Sequence, residues 1–216
     1  MTTHISAIPF EMGNDELERF ALEECVKRQR LDRRASVLIL PAGGCDLAVK
    51  FVRVGAQVTL CDQDSLRQDI EGCILATGLH EDVHFVPGTV AELPEQSPGS
   101  PFDVIFLRRG LCGMRYEEAR QVVRRLLLEL RIGGKLYVSI LGMHSELGDG
   151  YPAGDERIED RYSRLAPEMI RKYGIEGPVC LYSERNLFLL LLDAGASVLR
   201  TMTTTYGNVK GVAVRV

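Results

Sequence analysis

The residues best placed to do chemistry lie at four points of the 216-residue chain. The first is the turn Pro41-Ala42-Gly43-Gly44-Cys45, between the apolar run SVLIL and a helix-length segment. A turn of small residues there brings backbone amides and a helix N-terminus toward a polar ligand. The second is Asp62, which closes the next apolar run, QVTLC. It follows the turn by about 20 residues, a spacing that suits a carboxylate accepting hydrogen bonds from ribose hydroxyls. The third is the pair Arg108-Arg109 after FDVIFL. Two guanidinium groups there would grip a carboxylate or phosphate through parallel N–H donors, or else pair with nearby surface acids. The fourth begins at His144, either a base near neutral pH or a solvated loop residue. It continues through DGYPAGDERIEDRY, where Tyr151, Tyr162 and several carboxylates would face a small amine or an aromatic acceptor, or form a solvated charged edge.

These points are positioned by a regular alternation of elements. After a short arm, ELERFALEECVKRQR places Leu17, Phe20, Ala21 and Cys25 on one helical face, with Asn14 or Asp15 as its cap. SVLIL is a strand buried on both faces, 46–54 a helix closed by Gly55, QVTLC a second strand, and 64–77 a second helix stopped by Gly78. VHFV and FDVIFL are strands three and four, separated by a polar loop containing PEQSPGSP. A helix over 116–131 stops at Gly133-Gly134, and KLYVSIL is strand five. Residues 142–182 form a long polar insertion with one helix near 166–173, a lid-like segment. Ser183 then caps a helix, and two strand-like runs flank Gly207-Asn208, a hairpin signal. The sum is one α/β domain over 1–216 with a mostly parallel sheet, 1–35 forming an N-terminal arm and helix.

Composition sets the outer limits. At 45% hydrophobic and 26% charged residues the chain is globular, and no apolar run approaches the roughly 20 residues a membrane span needs. The N-terminus carries no pattern of a secretion signal, so the expectation is a cytoplasmic protein. Six widely spaced cysteines, with no pair at metal-ligand spacing, read as free thiols and imply no metal. A net charge of −4 disfavours a nucleic-acid partner. A homo-oligomer stays open.

From residue 36 to the end, the order of elements resembles the class I S-adenosylmethionine-dependent methyltransferases. VLILPAGGC and LCD lie without a gap over that family's glycine-rich turn and strand-two acid, and LLELRIGGKLYVSIL is similar to its "LKPGG" turn and fifth strand. The resemblance implies a Rossmann-like, doubly wound sheet of about seven strands with an antiparallel C-terminal hairpin strand. It also implies S-adenosylmethionine as cofactor and a small-molecule methyl acceptor. Pro41, Ala42, Gly43 and Gly44 would cradle the methionine part, Asp62 and Gln63 the ribose, and Thr89 and Val90 the adenine. Leu107 and Arg108 would flank the transfer site, with His144, Arg108 and Tyr151 as catalytic candidates under the 142–182 lid. The text NPPY of amino-methylating members is absent. Pro41 and Cys45 replace the outer glycines, Ile39 a strand-one acid, and Thr89 an acid that often meets adenine. A non-catalytic binding or regulatory subunit with a degenerate site is therefore the alternative. A nicotinamide oxidoreductase is third, disfavoured by the missing G-x-G-x-x-G.

Overall fold

The computed structural model describes residues 15–30, 32–93 and 97–216, so the expected arm over 1–13 lies outside the described residues. Seven strands form one sheet: β1 (Ser36–Leu40), β2 (Gln57–Asp62), β3 (Val83–Pro87), β4 (Phe102–Arg108), β5 (Leu130–Ile140), β6 (Ala196–Thr203) and β7 (Val209–Arg215), in the spatial order β3-β2-β1-β4-β5-β7-β6. The first five run parallel, and β7 is inserted antiparallel between β5 and β6. The chain order reverses at β1, which pairs with β2 on one side and β4 on the other. In such sheets, ligands collect in the crevice beyond the carboxyl ends at that switch.

Period-two alternation divides the sheet's side chains between two cores. Val37 and Ile39 of β1 and Val104 and Phe106 of β4 pack with helices α1 (Glu16–Arg28), α2 (Asp46–Arg53) and α3 (Arg67–Ala76). Leu38, Leu40, Ile105 and Leu107 face the other way, against α4 (Tyr116–Glu129) and α6 (Glu184–Asp193). Asp15 caps α1 by accepting the Leu17 amide at 2.8 Å, and Ser183 caps α6 by accepting the Asn186 amide at 3.2 Å. The expected helix over 64–77 opens instead as a 3-10 turn, Asp64–Leu66, before α3.

The 116–131 helix is shorter than its periodicity suggests. It ends at Glu129, and Leu130, wholly buried, already pairs with Phe102 as the first residue of β5. A bulge follows. Gly133 turns through φ +75°, and a Cβ on Gly134 would lie 2.8 Å from the Arg131 carbonyl, so the two glycines shape a strand entry rather than a helix stop.

Residues 142–182 pack against the body of the domain. Both ends are pinned, Met143 N donating to Tyr182 O at 2.8 Å and Tyr182 N to Leu141 O at 3.0 Å. Leu147, Leu165, Ile175 and Val179 join the core shared with α4 and α6, and α5 (Pro167–Tyr173) ends at Gly174 with φ +67°. At the opposite end of the sheet, Asp103 is fully buried and receives two bonds from Arg33, at 2.6 and 3.1 Å, and one from Ser36 N at 3.0 Å. Arg131 and Arg28 stand 3.7 and 4.0 Å away.

Candidate functional site

A cavity of about 820 Å³ opens at the carboxyl ends of β1 to β4, within the size range, roughly 300–1,000 Å³, of small-molecule sites. One wall is Pro41 after β1 together with Asp62 and Gln63 at the tip of β2. A second is the loop after β3, including Thr89, Val90 and Glu92, and a third is Arg108, Arg109 and Gly110 after β4. The far side is made by α4 and by Tyr162, Ile175 and Val179 of the insertion.

Asp62 is the centre of the near wall. It is only 4% exposed, yet among the described residues its carboxylate is met by two backbone amides, Gln63 N at 2.9 Å and Gly43 N at 3.3 Å. An ionised carboxylate offers about four acceptor positions, so two remain for a ligand's hydroxyls. Thr89 Oγ1 accepts the Glu92 amide at 3.0 Å, which leaves its hydroxyl hydrogen to donate. Gly110 lets these walls meet. A Cβ there would sit 2.7 Å from Val90 Cγ2 and 2.8 Å from Leu107 Cδ1, so a larger residue requires those two side chains to shift.

Arg108 is held from below. Its guanidinium bonds Glu18 of α1 and lies 5.7 Å from the Phe106 ring centroid, while Glu18 also bonds Lys50 of α2 at 2.5 Å. Arg109, 6% exposed, has φ +56°, the sole left-handed non-glycine among the described residues, and its amide donates to Ser139 O at 2.8 Å. Backbone of this kind in a bulky residue is sustained only where surroundings over-determine it, and it is common at ligand sites.

Of the residues read from sequence, Pro41, Asp62, Gln63, Thr89, Val90 and Arg108 come together on this cavity. Ala42 is buried behind it, its amide donating to Cys61 O at 2.9 Å, and Leu107 has its side chain in the core. Gly43 and Gly44 are exposed and lie outside the lining. Gly43 turns through φ +60°, which glycine adopts readily, and a Cβ on either glycine would meet nothing within 4 Å. The turn thus presents open space and an α2 N-terminus that Cys45 does not cap.

The catalytic candidates in the insertion separate. His144 is exposed beyond β5 and does not line the cavity. Tyr151 is 5% exposed, its hydroxyl donating to Val179 O at 2.6 Å and accepting Ser163 N at 3.2 Å, and burial pushes its phenol up to about 12. Tyr151 therefore braces the lobe, while Tyr162 forms its wall, with its hydroxyl donating to Gly113 O at 2.8 Å and Arg115 5.0 Å from its ring centroid. Cys112 is buried, its sulfur accepting Leu141 N at 3.2 Å, a packed loop residue. Tyr206 is exposed and away from the cavity. Sequence reasoning missed the α4 wall. Glu118, Gln121, Val122 and Arg125 stand at i, i+3, i+4 and i+7, so a largely polar stripe beside the apolar one was the available signal.

No family model matches the sequence, and no curated protein matches it. Solved structures share its fold. The S-adenosylmethionine-dependent methyltransferase SibL, in its apo form, superposes with a TM-score of 0.61 at 15% identity, over 92% of this chain and 55% of that one. An O-methyltransferase family 2 protein from Planctomyces limnophilus, in complex with apigenin, gives 0.61 at 13% identity, over 96% and 63%. An S-adenosylmethionine-dependent methyltransferase from Methanosarcina mazei gives 0.62 at 19% identity, over 84% of this chain and 92% of that one. The chain spans little more than half of the first and nearly all of the third. Its fold is the Rossmann-like, seven-stranded fold of class I S-adenosylmethionine-dependent methyltransferases, with the C-terminal strand reversed as the sequence led us to expect. Among the described residues, no helix is long and apolar enough to cross a membrane, and no cluster of three or more His, Cys, Asp or Glu is placed to hold a metal.

Proposed function

We propose that the chain is an S-adenosylmethionine-dependent methyltransferase acting on a small-molecule acceptor. One observation carries this: a buried carboxylate with acceptor positions to spare, Asp62, faces a closed-sided cavity at the switch point of a methyltransferase fold. The residues present fit the nucleoside. Asp62 takes the ribose hydroxyls, and the Thr89 hydroxyl and the backbone around Val90 take the base. The methionine part has a thinner cradle, formed by Pro41, Arg108 and the uncapped start of α2.

When bound, S-adenosylmethionine supplies a methyl group on a cationic sulfur, which an acceptor lone pair displaces in line. The chain's task is to hold the acceptor at that distance and angle and to exclude water, and such positioning accounts for much of the acceleration in reactions of this type. The wall of α4 and the insertion does this with mixed chemistry: Met114, Val122, Ile175 and Val179 shed water, while Gln121, Glu118 and Tyr162 offer polar edges. Glu18 stands between two cations, Arg108 and Lys50, and offsets part of the positive charge that a sulfonium meets there.

A non-catalytic binding subunit is favoured by a different observation, the exposure of Gly43 and Gly44 outside the cavity lining. Thermal melts separate the two. A ligand at 100 times its dissociation constant stabilises by about 2.7 kcal/mol, and a chain of this size gains about 2–4 °C per kcal/mol. A rise of about 5–10 °C with S-adenosylhomocysteine is expected. A rise with NAD alone, or with neither, would overturn the proposal, the latter in favour of the binding subunit.

A further inference from the structure

The two edges of the sheet are finished differently. β3, at one edge, is five residues long and ends in Pro87, which has no N–H to offer, and its Val83 amide already donates to Leu79 O at 2.9 Å. Short strands and proline are common means of keeping a sheet edge from pairing with another chain. β6, at the other edge, runs for eight residues without proline. Its one charged residue, Arg200, is engaged by α1, 3.4 Å from Glu16 and 5.0 Å from the Phe20 ring centroid.

An apolar strip runs beside this open edge. Glu184 accepts the hydroxyls of Thr201 and Thr203 at 3.0 and 3.1 Å, which lays the first turn of α6 over the carboxyl end of β6. Phe188 and Leu192 follow at i+4 and i+8 on the same helical face, so they continue along the strand toward its start. Both are large and apolar, yet they are 40% and 48% exposed. Leu199, 56% exposed at a bulge in the β6–β7 ladder, lies midway along the strand. We propose that this rim is an interface between two copies of the chain, related by a two-fold axis through the middle of β6. The interface does not depend on the methyltransferase assignment.

A second copy fits because an antiparallel strand pair is self-complementary. A two-fold axis perpendicular to the sheet lays β6 antiparallel to its own copy and joins the two sheets through an isologous contact. The same operation keeps both α6 helices on one face of the joined sheet and turns them antiparallel, so the Phe188–Leu192 strip of one chain faces that of the other. Arg200 brings Glu16 with it, so the strand's one charge does not meet its copy unpaired. Eight strand residues at about 3.3 Å each, beside a helix about 15 Å long and 10 Å across, outline on the order of 400 Å² a side in flat projection. Accessible area exceeds flat projection, so the contact reaches the roughly 1,000 Å² in total at which specific interfaces begin. A dimer of that size is weak, and its population depends on concentration.

Sedimentation equilibrium of the full chain from about 2 to 200 µM, a range that brackets micromolar affinity, tests the interface. The parent protein should pass from 24.0 kDa toward twice that mass, and hydrogen exchange at the β6 amides should slow as concentration rises. Leu199→Glu and Phe188→Glu, both at exposed positions, should stay at the monomer mass with melting temperatures near that of the parent. Leu75→Glu, on α3 beside the β3 edge and also exposed, should dimerise as the parent does. A parent that remains at 24.0 kDa throughout would overturn the proposal. So would a dimer that survives both rim substitutions, or one broken only by Leu75→Glu. Should a rim variant fail to fold, exchange at the parent's β6 amides decides alone, and rates independent of concentration would overturn the interface.

Discussion

Asp62 and Asp103 are both buried carboxylates, 4% and 0% exposed, at opposite ends of the same sheet. Asp103, at the amino end of β4, is enclosed by Arg33, Arg28, Arg131 and the Ser36 amide. Its charge is consumed by the fold. Asp62, at the carboxyl end of β2, receives two backbone amides and faces a cavity. The fold removes one acid from water and compensates it fully, and removes the other while leaving part of it uncompensated, which is how a site differs from a strut.

Substitution of each acid should break this contrast in opposite ways. Asp103→Ala strands several guanidinium groups, and losing one partner of a buried ion cluster costs about 3–5 kcal/mol, less here because Arg33 and Arg131 reach water. A fall in melting temperature of about 6–12 °C is expected at pH 7, and a fall below 2 °C would show that Asp103 is no strut. The same cluster predicts acid sensitivity. Burial alone would raise the Asp103 carboxyl, but Arg33, the Ser36 amide and Arg131 outweigh it and hold the group below its ordinary value. A folded value below the unfolded one, about 3.9, gives stability that is present above pH 4 and lost as pH falls through the folded value. Urea midpoints of Asp103→Asn and the parent protein should therefore converge between pH 5 and pH 2.5.

Asp62→Ala should leave the melting temperature nearly unchanged and weaken S-adenosylhomocysteine binding at least tenfold in calorimetry. Unchanged affinity would place the ribose elsewhere. A smaller effect is expected from Glu18→Ala, which leaves Arg108 without its balancing charge. Binding of the cationic S-adenosylmethionine should drop several-fold relative to the neutral homocysteine product, and equal losses for both would exclude an electrostatic role. His144→Ala should change neither affinity nor turnover beyond error. A hundredfold loss of turnover there would return His144 to the chemistry.

Strands β1, β2 and β4 were legible because each is an apolar run bounded by proline or a charge, and parallel strands buried on both faces need such runs. Asp62 was legible for the same reason, standing where an apolar run stops. What escaped reading was set by distant partners. Leu130 leaves the helix because Phe102 offers it a ladder position, which no local periodicity records. Tyr151 and Tyr162 look alike in sequence, yet one hydroxyl is consumed by Val179 and the other ring faces the cavity. The bond between Glu18 and Arg108 spans 90 residues and has no sequence signature.

The N-terminal cap of α1 has a further consequence. Asp15 bonds Lys210 at 2.8 Å across 195 positions, both side chains almost hidden from solvent, and Lys210 lies on the strand wedged between β5 and β6. The aspartate that caps α1 thus gains its counter-ion only once β7 is in place, and without β7 the sheet would stop at an unfilled edge on β5.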